Sequence, residues 1–306
     1  MLLLLLLMAA LRAAGQYDPS FSHYWAMPTS FNPGAAGRQD KLNINAAYSM
    51  ALAGFKHNPN TMYASADMPF FLLGGYHGAG ARITNDAIGL FSHKNLALQY
   101  AYRQKLFGGN LGIGLQGGII SESFDGTGLD LAEASDPAFS TSDITGTAFD
   151  LAAGLFYQHK AWYLGASVQH ITAPTVEMGE TNQIDIGMSY YLTAGGNIRL
   201  RNPFLSIQPS VLGRSDGITY RADITSRLTY THEQRQMYAG LGYSPGNSVT
   251  VFLGGNFHGI SVGYSYEAFT NGISLGNGSH ELVLNYQADL NLLKKGRNRH
   301  QSVRIL

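Results

Sequence analysis

Apolar and polar residues alternate along most of this chain with a period of two. The clearest example is the stretch from Ile260 to Leu290. Its apolar positions are Ile260, Val262, Tyr264, Tyr266 and Ala268, followed after a turn by Leu282, Leu284, Tyr286, Ala288 and Leu290. Helices repeat their apolar positions about every 3.6 residues, so this pattern predicts β-strands.

The alternation fits two kinds of β-protein. A soluble secreted domain would bury the apolar side chains, whereas a membrane barrel would turn them towards lipid and face the polar ones into a lumen. Two features favour the barrel. The alternation recurs along nearly the whole chain, and tyrosine and tryptophan lie near the ends of the apolar files, as in aromatic girdles. We therefore predict an all-β fold, a transmembrane antiparallel up-and-down β-barrel.

The pattern predicts about fourteen strands. They cover Leu42–Met50, Thr61–Met68, Tyr76–Thr84, Asn95–Leu106, Asn110–Phe124, Ala148–Gln158, Trp162–Ile171, Ile184–Leu192, Leu205–Leu212, Ile218–Tyr230, Met237–Tyr243, Val249–Asn256 and the two strands of the Ile260–Leu290 stretch. An even number is usual for single-chain bacterial barrels, and it places both termini on the periplasmic side.

The connections between these strands differ in length. Outer-membrane barrels combine short periplasmic turns with longer external loops. Short periplasmic connections are predicted at Phe107–Gly109, His159–Lys160 and Phe257–His258, and longer external ones at His57–Asn60, Asn85–Lys94, Asp125–Thr147, Thr172–Gln183 and Thr270–Gly278. Ala194–Asn202 is long for a periplasmic turn, and Pro245–Asn247 is short for an external loop.

The composition agrees with a surface that faces hydrocarbon. Charged residues make up 13% of the 306 residues, about half of the roughly 25% found in soluble domains. The 18 tyrosines and 15 phenylalanines are high counts. The formal net charge is zero, so no global field would recruit nucleic acid. The chain has no cysteine, which excludes disulfides, thiolate metal sites and cysteine nucleophiles.

Four segments can be distinguished. Residues 1–15 are predicted to be a signal peptide cleaved before Gln16, because the leucine run is too short to span a bilayer and small residues follow it. Residues 16–40 are irregular, and either lead in from the periplasm or partly plug the lumen. Residues 41–292 form the barrel. Residues 293–306 are a basic tail, interpreted as a disordered extension or as a contact for an acidic periplasmic partner or peptidoglycan.

Family motifs lie near both ends of the chain. The motif residues near the N-terminus are Asp18, Pro19, Phe21, Ser22, Tyr24, Asn32, Pro33 and Gly37; those near the C-terminus are Gly263, Tyr264, Ser265, Tyr266, Ser279, His280 and Glu281. In this order and spacing they resemble the PorP/SprF family of outer-membrane proteins of the type IX secretion and gliding system. Tyr17 before Asp18 and Gly34 in place of alanine depart from the family pattern.

The resemblance implies a function that the residues alone do not. It implies an accessory component of the type IX secretion system that docks or anchors a secreted or surface adhesin-type protein, often through a sorting domain. It also implies contacts with periplasmic components of the secretion machinery and with outer-membrane lipid. Neither an enzyme activity nor a cofactor is expected. A porin-like or fatty-acid-channel-like transport barrel is the alternative.

Nine charged residues fall on the files that alternate with the apolar ones. They are Arg103, Glu122, Asp150, Asp185, Arg221, Asp223, Arg227, Glu267 and Glu281. Arg or Lys on the lipid face near mid-membrane costs roughly 2–4 kcal/mol, so these side chains are predicted to face the lumen. Their mixed signs favour pairs that brace the lumen; a polar channel or a docking surface is the alternative.

Two further patterns bear on cofactors and metals. Gly112, Gly114 and Gly117 form a Gly-x-Gly-x-x-Gly run. A dinucleotide site needs this run to open a helix; no helical period follows here, so we predict a strand with small inward positions. The histidines show no metal-ligand spacing and are predicted to lie at the membrane interface. Four lie near predicted strand ends: His159, His170, His258 and His280.

Overall fold

The structure, a computed structural model, describes residues 17–126, 143–179, 182–233, 235–272 and 277–290. The strands are β1 (Lys41–Met50), β2 (Asn60–Leu72), β3 (Gly75–Ile88), β4 (Phe91–Leu106), β5 (Gly109–Phe124), β6 (Ile144–Gln158), β7 (Trp162–Gln169), β8 (Thr175–Met178), β9 (Asn182–Asp185), β10 (Ser189–Gly196), β11 (Ile198–Arg199), β12 (Leu205–Ser215), β13 (Tyr220–His232), β14 (Arg235–Ser244), β15 (Ser248–Phe257), β16 (Ile260–Phe269) and β17 (Ser279–Asp289). None of the helices in these ranges is long and apolar enough to cross a membrane. The predicted signal peptide and basic tail lie outside the described residues.

Fourteen of these strands form a closed wall. Consecutive wall strands pair antiparallel. β12 pairs with β10 through Ser210–Ser215 and with the short β11 through Ser206 and Ile207. The wall closes where β1 pairs with β17, with Lys41 opposite Asp289 and Met50 opposite His280. The predicted antiparallel up-and-down barrel of about fourteen strands is therefore confirmed.

Side chains alternate between the two faces of the wall. On β15, Val249, Val251 and Leu253 are exposed on the outside, while Thr250 and Phe252 are buried inside. The same alternation runs along the other strands, and the exposed files consist mainly of leucine, isoleucine, valine, phenylalanine and tyrosine. An apolar outer face and a polar inner face are what a strand between lipid and a lumen requires.

The two ends of the barrel carry different connections. At the short-turn end, where β1 begins and β17 ends, two-residue turns occur at Leu73–Gly74, Phe107–Gly108 and His258–Gly259. Both residues of each turn have positive φ, as tight hairpins that follow the twist of the sheet require. The long-loop end carries the connections of residues 51–59, 125–143, 170–188 and 270–278. Short turns mark the periplasmic side of outer-membrane barrels.

The predicted strand Ile184–Leu192 begins too early, because the wall strand at this place is β10, which starts at Ser189. Residues 182–185 form β9, which pairs only with β8 in a separate two-stranded sheet, and the wall resumes at β10. The reason is packing: Val176 and Ile186 are buried against the inward side chain of Ile120. The β8–β9 hairpin therefore folds against the inside of the wall at the long-loop end, although its alternation resembles that of a wall strand.

Two predicted connections also need correction. The external loop Asn85–Lys94 is reduced to the turn Gly89–Leu90, because β3 and β4 extend to Ile88 and from Phe91. Ala194–Asn202 is shorter than predicted, since β10 continues to Gly196 and β11 pairs with β12. In both places polar residues at the strand ends hid the continuing ladder.

Replacing an outward leucine by arginine tests the lipid-facing surface. Leu98 of β4 is 68% exposed on the outer face. We expect Leu98→Arg to lower the free energy of unfolding by about 2–4 kcal/mol, because the charge would enter hydrocarbon. The measurement is urea unfolding in lipid vesicles. The control Leu98→Ala should lower the free energy of unfolding clearly less. Equal decreases in the two variants would contradict a lipid-facing position.

Candidate functional site

The N-terminal segment lies inside the barrel. We call residues Tyr17–Arg38 the plug. Its first residue is at the long-loop end, where the Tyr17 hydroxyl donates to Glu122 near the end of β5. The plug then runs along the lumen to the short-turn end, where Lys41 begins β1. The barrel begins at Lys41 and ends at Asp289 on the short-turn side, as the even strand number predicts, whereas Tyr17 of the plug lies at the opposite end.

An ion-pair cluster holds the start of the plug. Asp18 accepts hydrogen bonds from His170 Nε2 at 3.0 Å and from the Tyr191 hydroxyl at 2.5 Å. The other ring nitrogen of His170 lies 3.0 Å from Asp150. His170 is fully buried and has a φ of 56°, which a non-glycine residue adopts only when its surroundings hold it there. The predicted interface position of His170 is therefore wrong.

The electrostatics of this cluster favour charged partners. Burial alone would lower the pKa of His170, but the charges and hydrogen bonds of Asp18 and Asp150 outweigh it and raise this pKa to about 10. Burial alone would raise the pKa of Asp18, but His170 and the Tyr191 hydroxyl hold it well below its usual range. The plug and the wall are thus joined by an imidazolium between two carboxylates.

The two family motifs meet in the lumen. Glu281 of β17 accepts hydrogen bonds from the backbone nitrogens of Ser22 and His23 at 2.7 and 2.9 Å. It also lies 2.6 Å from His23 Nδ1, and both side chains are buried. Gly263 of β16 lies beside the His23 ring, in space that a larger side chain would fill. Glu281 thus fixes the plug to the last strand of the barrel.

The second half of the plug contains two 3-10 turns, Pro28–Ser30 and Pro33–Ala35. Asn32 caps the second turn, because its side-chain oxygen accepts from Gly34 N at 2.9 Å. Its side-chain nitrogen donates to the carbonyls of Leu155 and Ala166 at 3.0 and 3.2 Å. One asparagine therefore organises the turn and attaches it to β6 and β7.

Inward polar side chains of the wall satisfy the carbonyl groups of the plug. Such short turns leave backbone carbonyls without partners, and buried carbonyls need them. The donors are Arg82 to Ser30 at 2.9 Å, Gln99 to Thr29 at 2.8 Å, and Ser167 and Gln169 to Phe31 at 2.6 Å each. The wall therefore binds the plug through its backbone as well as its side chains.

The glycine run of β5 makes room for the plug. Gly112 and Gly114 point inward, and a Cβ on either would overlap the backbone of Gly34. Gly117 points outward and has only ordinary neighbours, the nearest atom of Phe149 being 3.8 Å from an added Cβ. The small inward positions predicted from the sequence thus allow two backbones to approach closely.

Eight of the nine predicted lumen charges line the inner wall, and most contact the plug or a histidine. Arg221 bonds Asp223 at 2.9 Å and Glu267 at 3.0 Å, the only ion pairs among the eight within the described residues. Arg103 donates to the plug carbonyls of Ala36 and Arg38, Glu122 contacts Tyr17 and His93, Asp150 contacts His170, Glu281 contacts His23, and Arg227 stacks on Trp25. The charges therefore brace the plug more than they pair across the lumen.

One predicted lumen residue is wrong, and four buried inward charges were missed: Asp67, Arg82, Asp86 and Arg214. Asp185 is exposed on β9, where it accepts from Thr175 at 2.6 Å, because the hairpin leaves the wall. Arg82 and Arg214 are buried inward, and Arg214 pairs with Asp223 at 2.6 Å. Arg214 would have been predicted if the alternation of the strand Leu205–Leu212 had been continued to Ser215. Arg82 would have been predicted from its place between Gly80 and Thr84 on the inward positions of the third strand.

The lumen has a cavity at each end. The long-loop chamber has a volume of about 410 Å³ and is bounded by the plug residues Tyr17–Ser20 and by Arg214, Arg221 and Glu267. The short-turn chamber has a volume of about 510 Å³ and is bounded by His23, Trp25 and Thr29 of the plug. The plug thus forms part of the boundary of both chambers.

A plugged, polar-lined barrel with an apolar outer wall is an outer-membrane protein. The sequence profile of the family described as "Type IX secretion system membrane protein PorP/SprF" matches residues 13–286. The chain therefore belongs to the PorP/SprF family of type IX secretion system membrane proteins. No curated protein matches it.

Solved outer-membrane barrels are similar to it at low identity. The CymD monoaromatic hydrocarbon channel has a TM-score of 0.49 at 12% identity, over 90% of this chain and 94% of that one. A Pseudomonas aeruginosa FadL homologue has a TM-score of 0.45 at 13% identity, over 90% and 96%. CdiB from Acinetobacter baumannii has a TM-score of 0.37 at 9% identity; the matched part covers 81% of this chain and 60% of the length of CdiB. Similarity at this level does not extend to function.

A single methyl group on β5 tests the close packing of the plug. We expect Gly114→Ala to destabilise the plugged state by about 1–3 kcal/mol, because the methyl group overpacks against the Gly34 backbone. Liposome swelling with a small sugar should then be faster than with the unaltered protein. Gly117→Ala, on the same strand but facing outward, is the matched control and should leave swelling unchanged. Equal behaviour of both variants would argue against the plug contact.

The His170 cluster predicts a pH-dependent stability. Since the pKa of His170 is raised above its ordinary value of about 6.5, its contribution is complete below that pH and is lost as pH rises through about 10. The contribution of Asp18, whose pKa is lowered, is present above about pH 4 and is lost in stronger acid. We expect His170→Gln to cost about 3–5 kcal/mol at neutral pH, because it leaves buried carboxylates unpaired.

The measurement is urea unfolding of both proteins between about pH 7 and about pH 11. The stability difference between the unaltered protein and His170→Gln should shrink as pH passes about 10. A difference that stays constant over this range would show that the charge on His170 does not hold the plug.

Proposed function

We propose that this barrel is a non-conducting docking component of type IX secretion. It would hold a secreted or surface adhesin-type protein at the cell surface, by contacts between that protein and the long-loop end. The observation that carries the proposal is the plug. It is hydrogen-bonded to the wall at both ends, by Tyr17 to Glu122 and by the Arg38 carbonyl to Arg103. A transporter would need this segment to leave or move, whereas a docking protein gains a rigid platform from it.

The number and burial of the plug contacts support a stationary plug. Asp18, His23 and Asn32 each make two or more polar contacts with the wall, spread along the lumen. Truncating one partner of a buried charged pair costs about 3–5 kcal/mol. Releasing the whole segment would break several such contacts at once. The proposed role needs no catalytic chemistry and no cofactor.

The long-loop end offers exposed apolar side chains to a partner. Ile218 is 62% exposed and Tyr220 is 82% exposed in and next to the turn between β12 and β13. Phe55, in the connection between β1 and β2, is 51% exposed. Exposed aromatic and aliphatic side chains are the usual anchors of protein interfaces. These three residues are the positions at which we expect the partner to be contacted.

Site-specific crosslinking tests this proposal. A photoreactive amino acid at Tyr220 or Phe55, introduced in cells that secrete through the type IX system, should crosslink to a surface protein with a sorting domain. The same amino acid at Leu73, 95% exposed at the short-turn end, is the control and should not capture that protein. Crosslinks at Leu73 but not at Tyr220 or Phe55 would refute docking at the long-loop end.

Liposome swelling separates docking from passive transport. We expect purified protein to give little solute flux, because the plug fills the middle of the lumen. Flux comparable with that of an open porin would refute the non-conducting platform and favour the transport alternative. An open porin reconstituted in the same liposomes serves as the positive control for solute flux.

A further inference from the structure

The two chambers of the lumen differ in how their arginines are compensated. In the long-loop chamber, Arg214 and Arg221 are both ion-paired to Asp223, at 2.6 and 2.9 Å, and Arg221 also pairs with Glu267 at 3.0 Å. In the short-turn chamber, the arginines are Arg38 and Arg227. Neither of their guanidinium groups forms an ion pair or hydrogen bond with any residue in the described ranges. The arginines of the second chamber are therefore not held in direct ion pairs.

Arg227 is held in place although it lacks an acidic partner. Its side chain is 93% buried, since its exposure is 7%, and its guanidinium carbon lies 3.4 Å from the centre of the Trp25 ring. Tyr238 packs edge-on against the same ring, with centroids 5.3 Å apart. The Nε atom of Arg227 is buried without a hydrogen-bond acceptor in the part of the chain that the structure describes. A fixed guanidinium of this kind is pre-organised to bind an oxyanion.

The other residues around Arg227 do not cancel its charge. Asp67 is the one acidic residue among those described around this chamber, and it already accepts from Gly37 N at 2.9 Å and from Asn43 at 3.4 Å. Burying a charged group without a partner is costly. Two arginines and one carboxylate thus leave the chamber with an excess of positive charge, which favours an anion.

The other residues around the chamber indicate the chemistry of the rest of the ligand. Ten of the residues around the chamber are asparagine or glutamine, which offer both donors and acceptors but no charge. Such a wall suits a neutral body rich in hydroxyl or amide groups. A volume of about 510 Å³ lies within the range of sites for small molecules, roughly 300–1,000 Å³. Asn256 and Gln287, near the short turns, place the entrance at the periplasmic end.

We propose that the short-turn chamber binds a periplasmic small molecule that carries an oxyanion, a carboxylate or a phosphate, on a neutral polar body. Arg227 anchors the oxyanion, with Arg38 as the second positive charge, and the asparagine and glutamine side chains bind the body. This site is separate from the proposed docking at the long-loop end. A sealed lumen and a ligand chamber below the plug are compatible, so either proposal can fail without the other.

Tryptophan fluorescence provides the test. The chain has two tryptophans, so Trp162→Phe leaves Trp25, which stacks on Arg227, as the only reporter. Purified protein with this substitution is titrated with glucuronate, inorganic phosphate and glucose. We expect a saturable change in emission with glucuronate or phosphate and an affinity for glucose at least about ten-fold lower, because glucose lacks the anion. Saturation by phosphate alone would assign the site to phosphate ligands, and by glucuronate alone to carboxylates.

Variants then locate the site. Because Arg227 contacts the reporter, their affinities are measured by isothermal titration calorimetry. Arg227→Gln should weaken binding of the anion at least about ten-fold, and Arg38→Gln should weaken it less. Arg221→Gln, whose charge is paired in the other chamber, is the matched control and should change the affinity by no more than about two-fold. If Arg227→Gln does not fold, as judged by its electrophoretic heat modifiability, Arg227→Lys keeps the charge, loses the planar fork and should still weaken binding.

Three results would overturn the proposal. The first is that neither glucuronate nor phosphate gives a saturable change. The second is equal affinity for glucose and glucuronate. The third is an anion affinity that stays the same in whichever Arg227 variant folds. None of these results depends on whether a surface protein docks at the long-loop end. Failure of crosslinking at Tyr220 and Phe55 would in turn leave the chamber unaffected.

Discussion

The need to fill the interior of the barrel governs this structure. Barrels of eight strands are just wide enough for their own side chains to fill, whereas wider barrels leave a lumen. With fourteen strands, the inward files must find partners in water or in another segment. Here the N-terminal segment supplies them, and its backbone accepts hydrogen bonds from Arg82, Gln99, Ser167 and Gln169. The polar inner wall and the plug therefore depend on each other.

This dependence links the first and last parts of the chain. Glu281 lies on β17, the strand that closes the barrel against β1, and it binds the backbone of Ser22 and the ring of His23. Contacts between residues more than 250 positions apart form only when the barrel closes, because neither partner is held in place before then. The same residue therefore pairs with β1 through its backbone and fixes the plug through its side chain.

The two ends of the lumen differ in chemistry as well as in loop length. Near the long-loop end, carboxylates compensate the buried cations: His170 lies between Asp18 and Asp150, and Arg214 pairs with Asp223. Near the short-turn end, Arg227 is stacked on an aromatic ring instead. A fully paired cluster mainly holds structure together, whereas an unpaired cation can bind something else. The plug connects a region built for rigidity with one suited to a ligand.

The sequence determined the strands of the wall and which of their side chains face inward or outward. Alternation with a period of two depends on local backbone geometry, so it predicted an up-and-down barrel and placed charges such as Arg221 and Glu267 inward. The motif residues near both ends identified the family, because Glu281 and Asp18 are recognisable without their contacts. Only the tertiary structure decided where the irregular segment lies, that Glu281 meets His23, and that residues 182–185 leave the wall as a hairpin. Strand alternation is the same for a wall strand and for a hairpin folded against the inside, and a segment without a period has no preferred partner until the closed barrel provides one.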